Sequence, residues 1–280
     1  MKSINTLVAD IYSLFSKPLE ATKETEAATN EFGQQLAKFL FQRIQEDKSK
    51  PGLRMSNLGT PDCKLWYSVN TPELAEPLPP ETRIKFLYGD ILEELLLFLA
   101  KLAGHKVEGE QDEVDIDGVK GHRDAIIDGR LVDCKSASSF SFRKFKDHGL
   151  KNEDNFGYLN QLNAYLHSSL TDPKLSDRGK ASFLAIDKTL GHICLDTYQK
   201  DKIDYSELIK KKREMLAKNI KPPRCFEDEP EGKSGNRKLG VVCSYCAFKK
   251  PCWPGLRAFA YAGKPVFLTK VIREPSPKIK

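Results

Sequence analysis

The spacing of apolar residues predicts that the chain begins with helices. Two sets of apolar residues recur at helical intervals within residues 3–47 and predict two amphipathic helices: Leu7, Ile11 and Leu14, then Phe32, Leu36, Leu40 and Ile44. A Pro-rich stretch over residues 71–80 precedes a third helical pattern, which runs from Ile84 to Ala103. Residues 1–52 are therefore expected to form a helical extension ahead of the main domain.

Short apolar runs of strand length follow the third helix. Strands are predicted over residues 105–110 and 113–119, and then in a hairpin that turns at Asp128-Gly129, a dipeptide typical of two-residue turns. The remaining predicted elements are helices over 142–149, 156–169 and 205–219 and strands over 181–187 and 192–198. This order predicts an α+β (α/β/α-like) fold, with a mixed central β-sheet flanked by helices.

Two carboxylates and a lysine are predicted to meet on the hairpin. Asp133 and Lys135 are two residues apart, so their side chains leave the same face of a strand, and Asp124 belongs to the other arm. Carboxylates aimed at one point repel each other unless a hard cation such as Mg²⁺ or Mn²⁺ lies between them. The Lys135 ammonium could then orient or deprotonate a water, or neutralise charge on a phosphorane. A solvated surface hairpin is the alternative, but the apolar residues beside these charges favour core strands.

The order Gly121-x-x-Asp124, hairpin, Asp133-x-Lys135 resembles the core of the PD-(D/E)XK nuclease superfamily. The resemblance implies a restriction-endonuclease-like core and a metal-dependent nuclease site. It also implies that the Cys134 carbonyl joins the carboxylates in binding the metal.

Two further motifs resemble the RecB-like branch of this superfamily. Glu93 follows Gly89 by four residues, the position of a metal-binding Glu or His in that branch, with Glu94 as the alternative. Gln161 and Tyr165 match its Gln-x-x-x-Tyr motif, and their spacing places both side chains on one helical face toward the substrate. Tyr165 as an ordinary core aromatic is the alternative interpretation.

The cysteines form a second candidate site. Cys243-x-x-Cys246 is followed by Cys252, and Cys63 lies upstream of the hairpin. This arrangement resembles the iron-sulfur nucleases, namely the AddB nuclease domain and the CRISPR-adaptation nuclease, and implies a [4Fe-4S] cluster on these four thiolates. Zn²⁺ is the main alternative metal, and Cys225 is the rival fourth ligand. Disulfides rank last, and Cys134 and Cys194 are expected to be core residues.

Composition agrees with a polyanionic partner. The formal net charge is +6, and no apolar run is long enough to span a membrane. The basic residues Arg143, Lys144 and Lys146 alternate with phenylalanines and are candidates for DNA contacts. His122 shares a strand face with Asp124 and is a further candidate for phosphate or the metal shell, or an ordinary half-buried histidine.

These features predict a Mg²⁺- or Mn²⁺-dependent deoxyribonuclease, foremost an exonuclease acting on DNA ends in recombination, repair or phage DNA metabolism. The nuclease domain is expected over 53–280, including the C-terminal cysteines and a flexible linker at 221–240. A structure-specific or single-strand endonuclease and a non-catalytic nucleic-acid-binding iron-sulfur module are the alternatives. A helicase or a single-strand annealing protein is a candidate partner. The expected location is the cytoplasm, that of the host if the protein is phage-encoded.

Overall fold

The computed structural model describes residues 2–16, 18, 20–45, 51–261 and 264–275. Its α-helices are α1 (Leu7–Ser13), α2 (Lys23–Gln45), α3 (Asp62–Asn70), α4 (Pro80–Leu102), α5 (Ser139–Lys146), α6 (Tyr158–Ser168), α7 (Tyr205–Ala217), α8 (Val241–Ser244) and α9 (Lys249–Cys252). Its strands are β1 (Val107–Glu108), β2 (Glu113–Ile116), β3 (Val119–His122), β4 (Ala125–Ile127), β5 (Arg130–Ala137), β6 (Lys180–Asp187), β7 (Ile193–Gln199), β8 (Glu229–Pro230), β9 (Arg237–Lys238), β10 (Arg257–Tyr261) and β11 (Lys264–Lys270).

Most predicted elements are present, with three local corrections. The strand predicted over 113–119 is split into β2 and β3 by a turn in which Asp117 and Gly118 have φ angles of 50° and 75°. The stretch 221–240, predicted as linker, contains β8 and β9, which pair with each other. Strands β10 and β11 were not predicted. Positions 46 and 47 of the second N-terminal helix lie outside the described residues.

The described residues divide into two compact units. The first comprises 1–50, 54–59 and 79–209, and the second comprises 51–53, 60–78 and 210–280. The carboxylate residues lie in the first unit, and the candidate metal-binding cysteines lie in the second. The boundary predicted at residue 52 stays a prediction.

The central sheet of the first unit is mixed. In the described part of the chain, five strands pair in the order β1-β4-β5-β6-β7. Strands β5 and β6 run parallel, and the other neighbours are antiparallel. Apolar residues from α1 and α4 pack on one face, against Ala125, Val132 and Leu184. Helices α5 and α6 also contact β5 and β6. The predicted α+β class, a mixed central sheet flanked by helices, is confirmed.

The hairpin between β4 and β5 has the predicted two-residue turn. Asp128 and Gly129 have φ angles of 48° and 80°, and Ile127 pairs directly with Arg130. Two consecutive positive φ angles are typical of the tight turns that match the right-handed twist of paired strands. The turn therefore sets the register that aligns Ala125 with Val132.

The second unit contains another sheet. Among the described residues, four short strands pair in the order β10-β11-β9-β8. Phe259 and Leu268, on paired strands, are fully buried. None of the described helices is both long enough and apolar enough to cross a membrane.

Candidate active site

Asp133 and Lys135 lie on β5, the middle strand of the sheet. They share one face of the strand, as predicted, and their side chains form an ion pair. The Lys135 ammonium also lies 5.4 Å from the centre of the Tyr158 ring and 5.9 Å from that of Phe183. Both residues lie where β5 pairs with β6, opposite Phe183 and Ala185, whereas the pairing of β5 with β4 ends at Val132.

Asp124 lies between β3 and β4, one residue before β4 begins. Its carboxylate accepts a hydrogen bond of 2.7 Å from the backbone N–H of Cys134. That bond ties the start of β4 to the middle of β5, beyond the last paired residues of the hairpin. Asp124 is thereby bonded to Cys134, the residue that lies between Asp133 and Lys135 in the sequence. The Cys134 carbonyl as a metal ligand stays a prediction.

Glu93 reaches the same site from α4. A β-carbon added at Gly89, one turn earlier, would lie 3.5 Å from the Ser136 hydroxyl, so this face of α4 lies against β5. The Glu93 carboxyl accepts a hydrogen bond of 2.6 Å from the Gln111 side-chain amide. Glu94 instead interacts chiefly with Glu110 and Lys101. The charge of Asp124 acts on Glu93, but the charge of Glu94 also acts on Asp124, so the choice of Glu93 over Glu94 stays a prediction.

Glu93 and Asp124 line a cavity of about 520 Å³ in the first unit, whereas Asp133 and Lys135 are not among the described residues that line it. Its lining includes Glu93, Glu94, Asp124, His122 and Tyr165. The size is in the range of small-molecule binding pockets. Glu93, Asp124, His122 and Tyr165, all singled out from the sequence, thus line one open cavity together with Glu94.

Tyr165 packs against Gly121, the glycine of the Gly-x-x-Asp motif. A β-carbon added at Gly121 would lie 2.6 Å from the Met55 β-carbon and 2.9 Å from a ring carbon of Tyr165. Gln161 hydrogen-bonds to the Tyr165 hydroxyl one turn along α6, which supports the predicted pairing. Gly121 therefore makes room for the tyrosine beside Asp124.

The carboxyl groups destabilise one another as anions. Burial, followed by the charge of Asp124, raises the pKa of Glu93 to about 9. Burial, followed by the charge of Asp133, raises the pKa of Asp124 to about 7. Burial alone would lower the pKa of Lys135, but the carboxylates of Asp133 and Asp124 raise it above its usual value. Lys135 therefore stays charged at neutral pH, and the carboxyl groups would gain from a cation.

The predicted DNA-contacting residues of α5 lie elsewhere. Arg143, Lys144 and Lys146 do not line the cavity, and Lys144 forms an ion pair of 3.0 Å with Glu153. Other cavity-lining residues were missed by sequence analysis: Phe39, Arg43, Arg54, Ser56, Asp90, Gln111 and Lys120. Asp90 and Lys120 adjoin Gly89 and Gly121 of the predicted motifs, whereas the others come from segments distant in sequence, which no local pattern could have indicated.

The second unit brings five cysteines to one pocket. Cys63, Cys225, Cys243, Cys246 and Cys252 all line it. The sulfurs of Cys63 and Cys252 are 4.0 Å apart, and the Cys63 backbone N–H donates to the Cys225 sulfur at 3.3 Å. The rival ligand Cys225 therefore lies beside the predicted set.

The surroundings of the thiols are largely apolar. Burial, followed by the nearby sulfur of Cys252, raises the pKa of Cys63 to about 12. Burial, followed by Cys246, raises the pKa of Cys243 to about 11. Cys134 is buried and Cys194 half-buried, both on strands of the central sheet, as expected for structural cysteines.

Comparison with known proteins finds only distant structural likeness. No family model matches the chain, and no curated protein matches it. An alkaline exonuclease from Laribacter hongkongensis is 15% identical, with 61% of this chain and 88% of that chain covered and a TM-score of 0.41. The structure of SSO0001 is 18% identical, with 79% and 93% covered and a TM-score of 0.39. A phage-related exonuclease from Haemophilus somnus 129PT is 15% identical, with 61% and 92% covered and a TM-score of 0.37. Values this low carry no inference about activity.

Proposed function

We propose that the protein is a metal-dependent DNA nuclease, foremost an exonuclease that hydrolyses phosphodiester bonds from DNA ends. The observation that carries the proposal is the grouping of three carboxyl groups and a charged lysine, of which Glu93 and Asp124 line the cavity. Glu93, Asp124 and Asp133 come from a helix, a loop and a strand, and the charge of Asp133 acts on both Glu93 and Asp124. A structural ion pair would need only Asp133 and Lys135.

The donor chemistry fits Mg²⁺ or Mn²⁺. Both ions prefer carboxylate oxygens and retain waters, and a divalent charge would relieve the repulsion that raises the pKa values of Glu93 and Asp124. Among the described residues, no three His, Cys, Asp or Glu side chains are arranged to hold a metal ion as they stand. The carboxyl groups therefore supply suitable donors and not a finished coordination shell.

Each polar residue has a role that follows from its charge and place. A bound divalent cation would supply Lewis-acid charge at the phosphate. Lys135 is held in its charged form, so it would orient the attacking water or neutralise developing charge, and it is poorly suited to remove a proton. Tyr165, held by Gln161, and His122 would contact the substrate backbone from the cavity wall.

The decisive assay is digestion of DNA of defined topology. With Mg²⁺ or Mn²⁺, end-labelled linear DNA should be degraded while covalently closed circles survive, and chelator should stop the reaction. Asp133→Asn should abolish cleavage, and the matched control is Asp187→Asn, a buried carboxylate of β6 that accepts hydrogen bonds from Ser139 and from the Thr189 backbone N–H. Efficient cutting of closed circles would favour the endonuclease alternative. Binding without any cleavage would favour the non-catalytic module.

We also propose that the thiols of the second unit hold a [4Fe-4S] cluster through Cys63, Cys243, Cys246 and Cys252. Their sulfurs line one apolar pocket, which suits soft thiolate ligation. Zn²⁺ remains the alternative metal, and Cys225 the alternative ligand.

Elemental analysis separates these possibilities. Protein purified without oxygen should contain iron and sulfide and show a broad visible absorption that a reductant bleaches. Stoichiometric zinc without sulfide would refute the cluster and keep the thiolate site. The helicase or annealing partner and the cytoplasmic location remain predictions.

A further inference from the structure

We propose that Arg43, Arg54 and Lys120 form a phosphate-binding rim that holds the DNA strand at the active cavity. This inference rests on the proposed nuclease function and deepens it by naming where the substrate backbone binds. It assigns a role to the N-terminal helix α2, for which the sequence indicated none. It also differs from the basic cluster on α5 that the sequence favoured.

The rim is defined by the lining of the cavity. Arg43, Arg54 and Lys120 line the same space of about 520 Å³ as Glu93 and Asp124. Cationic side chains around an anionic centre suit a ligand with several successive phosphates. One phosphate would lie at the carboxylate and metal centre, and its neighbours would lie against the rim.

Helix α2 is fixed against the helix that carries Glu93. The rings of Phe32 and Phe98 stack with centroids 4.6 Å apart, which joins α2 to α4. Nearer the cavity, Arg43 forms an ion pair of 3.2 Å with Asp90 of α4. These contacts hold the end of α2, and with it the Arg43 guanidinium, beside the site.

Arg43 and Phe39 form one wall of the cavity together. The Arg43 guanidinium carbon lies 5.1 Å from the centre of the Phe39 ring, and both residues line the cavity. Tyr165 offers a second ring in the same space. A cation beside aromatic rings is the combination used to bind unpaired nucleic acid, whose bases stack while its phosphates pair with the cation. The rim therefore suits a single strand leading to the carboxylates.

Lys120 and Arg54, the other two residues of the rim, come from separate segments that meet at Gly121. Lys120 lies on β3, next to Gly121, and its ammonium forms an exposed ion pair of 2.6 Å with Glu113. Arg54 precedes Met55, which packs directly against Gly121. An exposed ion pair is weak, so a phosphate can compete for Lys120 at little cost.

Three variants that each remove three positive charges test the rim. The rim variant carries Arg43→Ala, Arg54→Ala and Lys120→Ala, and the rival variant carries Arg143→Ala, Lys144→Ala and Lys146→Ala. The control carries Lys38→Ala, Lys188→Ala and Lys200→Ala, which are exposed residues of the first unit outside the cavity lining. Binding of a fluorescent single-stranded oligonucleotide is measured by anisotropy in chelator from about 50 to 300 mM salt, and cleavage is then measured with Mg²⁺.

The rim variant should bind about tenfold more weakly or worse at the lowest salt. Its plot of log affinity against log salt should be shallower by about 2, because each phosphate contact of a single strand contributes about 0.7 to the slope. In cleavage, KM should rise more than kcat falls. The control should match wild type in both measurements. If circular dichroism shows that the triple rim variant is misfolded, the single variants Arg43→Gln and Lys120→Gln replace it, with Lys38→Gln as their control. Each should lower the salt slope by about 0.7.

The outcomes also separate this inference from the proposed function. A rim variant that binds with wild-type affinity and salt slope, while wild type cleaves, would overturn the rim and leave the nuclease intact. A greater loss of binding affinity in the α5 variant than in the rim variant would overturn the rim in favour of the basic residues of α5. If wild type binds through the rim without cleaving in any divalent metal, the nuclease proposal fails and the rim survives as a nucleic-acid site.

Discussion

Arg123→Met should destabilise the first unit strongly, because the guanidinium is buried and joins four partners. The residue is 1% exposed, and its guanidinium contacts Asp112 at 2.7 Å, Asp172 at 2.5 Å and Ser169 at 3.1 Å. A fourth contact reaches the Gly109 carbonyl at 3.4 Å. Methionine keeps much of the side-chain volume but removes every donor.

The expected loss is about 3 kcal/mol of unfolding free energy. Breaking a buried ion pair costs about 3–5 kcal/mol when the charge left behind is buried. Here the lower end applies, because the Asp112 and Asp172 side chains are 39% and 20% exposed and water can solvate them. The buried hydroxyl of Ser169 loses its partner at a further cost of about 1 kcal/mol, which is included in this figure.

Chemical denaturation followed by far-ultraviolet circular dichroism measures the change. Tryptophan fluorescence is unsuitable, because Trp66 and Trp253 both lie in the second unit. Lys174→Met is the matched control: Lys174 pairs with the same Asp112 at 2.7 Å but is 39% exposed, so about 1 kcal/mol or less is expected. If the two variants unfolded within about 0.5 kcal/mol of each other, the account of Arg123 would be wrong.

The nuclease activity of Arg123→Met should fall by more than its loss of stability explains. Arg123 precedes Asp124, and the loop it holds includes Gln111, whose backbone N–H bonds to the Asp124 carbonyl at 3.3 Å. The Gln111 side chain also bonds to Glu93. Loosening this loop would displace two carboxyl groups together, so fully folded Arg123→Met should still show a reduced kcat.

Three further predictions concern the two sites. Lys135→Met should lower kcat at least about 100-fold, because a charge aimed at the reacting phosphate is lost; a wild-type kcat would contradict the assignment. In chelator, unfolding free energy should fall as pH rises from about 4 to about 9, since folded Asp124 and Glu93 keep protons up to pKa values of about 7 and about 9, whereas unfolded carboxyls ionise near pH 4. Denaturation at several pH values checks this, and Asp124→Asn should make the fall shallower below about pH 7 and leave it unchanged above. Cys63→Ser should lose the iron and sulfide of anaerobic protein, whereas Cys194→Ser should keep both; equal metal in the two variants would exclude Cys63 as a ligand.

Local sequence determined the elements and part of the site. The hairpin turn at Asp128-Gly129 and the shared face of Asp133 and Lys135 followed from turn chemistry and strand periodicity, which act over a few residues. The pairing of Gln161 with Tyr165 followed from helical spacing in the same way. Sequence also indicated Glu93, through a family resemblance.

Tertiary structure decided which distant residues meet. Phe39 and Arg43 reach the cavity because α2 packs on α4, and Arg123 is buried because loops more than ten residues away supply its carboxylates. Cys225 lies beside Cys63 although the two are 162 residues apart in sequence. Such contacts depend on how whole elements pack, and a local pattern of residue types carries no information about a partner on another element. The sequence alone therefore indicated the reacting groups, while the fold assembled the cavity that surrounds them.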